Sequence, residues 1–172
     1  MNTAAKDKLI EEITNAFSGT EFPGDENLVA KSYGEEPELI RKHFSGQNNW
    51  NELMPGFLDH DGALSFFSDE AFRFYLPAFM IADINEHLSF NDPSVRLCWS
   101  VTPQSEDKKL AAVFGGGTLG ERARECFRHF SAEQVKVIVA YLLWKQEQYD
   151  DYCVKQALKN YWLKRTDNRK DY

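Results

Sequence analysis

Cysteine is scarce in this chain, and no two cysteines are spaced for a metal knuckle or a redox pair. Cys98, Cys126 and Cys153 are far apart and odd in number, which argues against a disulfide framework and for a reducing compartment. No apolar run approaches the ~20 residues of a membrane-spanning helix. The N-terminal stretch MNTAAKDKLIEEI is charged throughout and has no signal-peptide core; a soluble, cytoplasmic protein is expected, with no membrane contact. Basic charge is sparse in the first half, where residues 1–86 hold 6 Lys and Arg against 16 Asp and Glu. The whole chain carries a formal net charge of -7. This disfavours a general nucleic-acid binder, because neutralising phosphates takes an excess of Lys and Arg.

The 172 residues suit one domain, 1–172, with a frayed polar tail at 166–172. Most aromatic residues fall inside apolar runs, so the body of the chain can bury a core rather than stay disordered. Residues 87–172 carry 14 basic and 11 acidic side chains. The acidity of the other half therefore serves solubility or faces a cationic partner.

Apolar periodicity predicts a mainly α protein around a buried central helix. Leu9, Ile10, Ile13 and Phe17 place an amphipathic helix over Lys6 to Phe17. A shorter helix starts near Glu35 or Pro37 and runs to Phe44. Turns dominate the next stretch, with Asn49 or Asn51 capping a single turn around Trp50 and Leu53. A short extended piece is expected at Ala63 to Phe67. Ser68 is a natural N-cap, with Asp69 and Glu70 in the first turn. The helix it starts, 69–86, is apolar nearly all round, which marks a buried element, and Pro77 lies inside it. For residues 94–101 the Pro93 start favours helix, while Val95, Trp99 and Val101 leave a strand open. A helix from Glu121 to Phe130 follows the glycines. Ser131 with Gln134 is a capping box. From Ala132 on there is no Gly and no Pro, which predicts a long C-terminal helix, about 132–165, with a break allowed near Tyr149 to Tyr152.

The segment LSFFSDEAFRFYLPAFMIADI, Leu64 to Ile84, resembles a family of small bacterial proteins that share a domain of unknown function. The FSGxxxW pattern at Phe44, Ser45, Gly46 and Trp50 and the FSAEQ start at Phe130 to Gln134 are similar as well. The resemblance implies a bacterial, helix-rich domain. It implies no activity and transfers no functional residue.

Each candidate for chemistry has a structural explanation beside it. Gly115, Gly117 and Gly120 satisfy GxGxxG, which in a βαβ unit lets backbone approach a pyrophosphate. The following VKVIVAYLLW fits helical spacing, however, and starts at a capping box, so a loop between helices is expected. Asp59, His60 and Asp61 offer metal-type ligands, but three adjacent residues rarely face one ion; a solvated turn is expected. Cys126 and His129, three apart on one predicted helix, suit thiolate activation, with a buried structural cysteine as the plain alternative. Phe66, Phe67, Phe72, Phe74, Tyr75 and Phe79 read as core.

Asp83 and His87, four apart on a predicted helix, share a face and suit an acid/base or ligand pair. Asp83 lies in an apolar context where a buried carboxylate needs a partner, with Arg73 or Arg96 as candidates. Trp50, Asp83, His87 and Trp99 are the ligand-binding candidates. No cofactor and no metal is expected.

Three function classes follow. The leading one is a non-enzymatic interaction or accessory protein, of immunity type among others, with an unknown protein partner or a homodimer through the C-terminal helix. The second is a small-ligand binder or enzyme near Asp83 and His87. The third is nucleic-acid contact through the basic stripe of Lys155, Lys159, Lys164, Arg165, Arg169 and Lys170.

Overall fold

In the computed structural model the described residues are 3–30, 34–59, 62–112 and 115–167, and they are mainly helical. They group into two units, Asn2–Pro93 and Ser94–Tyr172.

In the first unit, α5 (Asp69–Ile84) is the central element. Ser68 caps it, its Oγ accepting from the Ala71 N–H at 3.0 Å. The same hydroxyl donates to the Asn27 carbonyl at 2.6 Å, which ties the helix start to the preceding loop. The helix continues through Pro77 and buries Phe72, Tyr75, Leu76, Phe79 and Met80. α1 (Thr3–Phe17) packs against it with Leu9, Ile13 and Phe17. The Lys6 ammonium donates to the Ile84 carbonyl at 3.3 Å, a cation at the negative end of α5.

Phe44, the last residue of α2 (Glu35–Phe44), sits among rings. It meets Phe67 edge-on at 4.8 Å and Tyr75 at 5.0 Å, geometries that favour aromatic pairs. The Tyr75 hydroxyl donates to the Gln47 carbonyl at 2.8 Å. Burial first, and the Asp25 charge second, push its pKa well above the ordinary tyrosine value. Phe67, Phe72, Phe74, Tyr75 and Phe79 thus serve the core, as their helical spacing predicts, whereas Phe66 is only half-buried.

The extended piece expected at Ala63 to Phe67 is instead one helical turn, α4 (Ala63–Phe66). Gly62 turns the chain at φ 75, and the Phe67 N–H then bonds back to the Ala63 carbonyl. Only Phe67 pairs in extended fashion, in an isolated bridge with Val29. Between α2 and α4 lie a 3-10 turn, Trp50–Glu52, capped by Asn49, and α3 (Pro55–Leu58).

In the second unit, 94–101 is helical: α6 (Pro93–Cys98) runs into a 3-10 turn, Trp99–Val101. The helix expected at Glu121 to Phe130 is α7 (Leu119–Phe127). Thr118 and Glu121 form its capping box, with Thr118 Oγ1 accepting from the Glu121 N–H at 3.2 Å and Glu121 Oε2 from the Thr118 N–H at 2.8 Å. α8 (Ala132–Tyr149) starts at the predicted Ser131 and Gln134 box.

The long C-terminal helix is interrupted where a break was allowed. Asp150 adopts the left-handed conformation, φ 46, and Asp151 caps α9 (Tyr152–Ala157) by accepting from the Val154 N–H at 3.1 Å. A π-turn, Leu158–Trp162, then leads into α10 (Leu163–Asp167). Two adjacent aspartates explain the break: Asp tolerates the left-handed region and prefers the N-cap. Near the π-turn, Asn160 donates to the Val101 carbonyl at 2.8 Å and to Glu106 Oε1 at 3.0 Å. The Trp162 indole donates to the Leu97 carbonyl at 2.9 Å.

Candidate functional site

The first unit carries an open cleft of ≈ 230 Å³. Its floor is a stripe of α5, Ala78, Ile81 and Ala82, spaced three and four apart and therefore on one face, continued by Asn85 just past the helix end. Two alanines on a helix otherwise rich in large side chains leave the depression. Trp50, Leu53, Pro55 and Leu58 form the opposite wall, held there by the capped 3-10 turn and α3. Asn51, Asn85 and His87 are the polar lining. Met54, beside Leu53 in sequence, is 71% exposed, and Phe90, three residues after His87, is 75% exposed.

One carboxylate organises the loop that follows His87. Asp59 accepts from the backbone N–H groups of Ser89 at 2.8 Å, Phe90 at 2.9 Å and Asn91 at 3.2 Å. Burial raises its pKa, but these hydrogen bonds outweigh burial and hold the carboxyl below its ordinary value. Asn91 completes the tie, donating from Nδ2 to the Leu58 carbonyl at 3.2 Å. Asp59 is thus committed to backbone rather than to a metal, and His60 and Asp61 lie outside the described residues. Among the described residues no cluster of three or more His, Cys, Asp and Glu is arranged for a metal ion.

Trp50 and His87 come together at the cleft, and Asp83 is not part of its lining. The expectation that Asp83 and His87 share a helix face fails, because α5 ends at Ile84. Glu86 takes the left-handed conformation, φ 61. The His87 N–H then bonds to the Ala82 carbonyl and the Glu86 N–H to the Asp83 carbonyl, both at 2.9 Å. This double bond pattern is a Schellman stop, which turns His87 off the helix. Asp83 is half-buried, not sealed in the core. Arg73 lies ten residues along the same helix, ~15 Å at 1.5 Å per residue, too far to pair with it. Trp99 belongs to the second unit, half-exposed beneath the Lys108 ammonium at 4.8 Å.

The remaining candidates resolve into structure. Cys126 is buried, but α7 ends at Phe127, so His129 is not on its helix and the two do not form a pair across one face. Gly115, Gly116 and Gly117 all have positive φ and turn the chain, and the Leu110 N–H bonds to the Gly117 carbonyl at 2.9 Å. Gly120 lies in the first turn of α7, where a Cβ would stand 3.0 Å from the Glu106 carbonyl oxygen and 2.8 Å from its Cβ. The third glycine therefore serves close packing. In the basic stripe, Arg165 donates to the Phe127 carbonyl at 2.6 Å and to that of Phe130 at 3.5 Å. Lys155, Lys159 and Lys164 are exposed, and Arg169 and Lys170 lie outside the described residues.

Sequence reasoning found the wall of the cleft at Trp50 but missed its floor. The signal available was Ala78 and Ala82, four apart on a helix of bulky residues.

Fold and site together define a mainly helical protein whose first unit bears a small apolar cleft with a polar edge. The model of a family of unknown function, DUF6714, matches residues 5–166, and the chain belongs to that family. No curated protein and no solved structure matches it.

Proposed function

We propose that this protein is a non-enzymatic recognition or accessory protein that binds a protein partner through the cleft of residues 2–93. The cleft itself carries the reading. At ≈ 230 Å³ it is smaller than the ~300–1,000 Å³ usual for small-molecule pockets, and its size suits one inserted side chain. An apolar pocket filled by a single anchor, with polar groups at its edge, is the arrangement in which interface energy concentrates. Exposed Met54 and Phe90 add apolar surface next to it in sequence. The setting we propose is the cytoplasm, where Cys98, Cys126 and Cys153 stay free thiols as they are here.

The test is photocrosslinking in cells that make the protein, from a benzophenone amino acid placed at position 54. A discrete protein adduct is expected, and it should vanish in Leu53→Arg and Ile81→Arg, which put a cation over the cleft. An adduct indifferent to both changes in folded protein, or no adduct, would refute the reading. A second reading, self-association through the C-terminal helices, is supported by the exposure of Leu143, Tyr149, Tyr152 and Leu163. Light scattering tests it: a strict monomer at all concentrations removes it.

A further inference from the structure

The charge around the cleft narrows the partner. Residues 1–93 hold 6 Lys and Arg and 17 Asp and Glu, a formal balance of -11. The cleft lining contains no Lys and no Arg. Glu52, next to the lining residues Asn51 and Leu53, is exposed, and Asn49 orients it by donating to Oε1 at 2.7 Å. Glu86, between the lining residues Asn85 and His87, is exposed and ion-paired with Lys6 at 3.4 Å, which offsets its charge. An apolar floor beside Glu52, in a unit of formal charge -11, favours a ligand with the opposite layout, apolar in the middle and cationic at its edges. The small volume points the same way. Only one side chain enters, so the rest of the contact lies on the acidic surface outside.

We infer that the occupant is a segment of a partner protein in which one bulky apolar side chain is flanked by Lys or Arg. This rests on the recognition reading above and specifies its partner. The apolar group gives the anchor, and the flanking cations give the encounter rate and discriminate against acidic competitors.

The experiment titrates the full ¹⁵N-labelled chain with three blocked pentapeptides. The first has a central tryptophan between pairs of lysines, the second has glutamates in place of the lysines, and the third has a central alanine between lysines. The lysine–tryptophan peptide should move the signals of Trp50, Ile81 and His87 saturably. It should bind about tenfold more tightly than either control, the sum of a few exposed charge pairs or of one apolar anchor. The advantage over the glutamate peptide should disappear at about 1 M salt, where the Debye length is ~3 Å. Glu52→Lys, a surface change that leaves the fold intact, should weaken binding about threefold. Equal binding of the lysine and glutamate peptides at the cleft overturns the basic partner but leaves the recognition reading standing. Equal binding of the tryptophan and alanine peptides shows that the anchor is unused and overturns the inference, as does unchanged affinity in Glu52→Lys. If no peptide moves the cleft signals, the recognition reading falls with it.

Discussion

The two units pack alike, each around a cluster of rings, and differ in charge. Residues 2–93 build their core around one apolar helix and a cluster of rings, with Phe44, Phe67 and Tyr75 in mutual contact. Residues 94–172 carry a ring cluster too, of Phe127, Phe130, Tyr161 and Trp162, and tie Trp162 to the Leu97 carbonyl, Asn160 to that of Val101 and Arg165 to that of Phe127. Their charge differs sharply, -11 for residues 1–93 against 14 basic and 10 acidic side chains, +4, for residues 94–172. The comparison teaches where change is tolerated. A ring cluster is costly to hollow out, whereas a close backbone approach such as that at Gly120 is costly to crowd.

The largest expected effect is in the ring cluster. Phe44→Ala removes a fully buried ring that contacts those of His43, Phe57, Phe67 and Tyr75, and it should cost about 3–5 kcal/mol in denaturant unfolding. A loss under about 1 kcal/mol would mean that the cluster collapses around the gap. Next is crowding in the second unit. Gly120→Ala forces a methyl against Glu106 and should cost about 1–3 kcal/mol. Hydrogen exchange should then rise in 94–172 and stay unchanged in most of 2–93; uniform acceleration would show that the two units unfold as one. The smallest effect is electrostatic. The Asp59 carboxyl is depressed in the fold, so its contribution is present above its unfolded pKa near 3.8 and is lost as pH falls through the lower folded value. Asp59→Asn should cost about 1–2 kcal/mol at neutral pH and progressively less as the pH falls through the folded value and the wild-type group takes up its proton. A cost that does not change with pH would show that the carboxylate charge contributes nothing at this turn.

The elements that were legible share one property: their signal is local. Ser68 with Asp69 and Glu70 announces α5, and Ser131 with Gln134 announces α8, because a cap satisfies orphan N–H groups with side chains three residues away. The Thr118 and Glu121 box is equally local, but the glycine run before it drew the start of α7 two residues late. The stop of α5 was hidden because Glu86 adopts a conformation usually left to Gly or Asn, so no breaker marks it. That single residue undid the pairing of Asp83 with His87. The cleft was only half legible. A tryptophan in a turn invites attention, but its floor is made of missing volume at Ala78 and Ala82, and only the return of Leu53, Pro55 and Leu58 over that stripe turns it into a pocket. The commitment of Asp59 to three N–H groups thirty residues later has no sequence signature.

The position of Trp50 gives the cleft an optical consequence. Of the four tryptophans in the chain, Trp99, Trp144 and Trp162 fall in residues 94–172 and Trp50 alone in 2–93. Its indole forms a wall of the cleft and is only 6% exposed. With phenylalanine at the other three positions, all indole emission would come from that wall. The colour of the light would then report the wetting, filling or unfolding of the cleft, without a label and without interference from the rest of the chain.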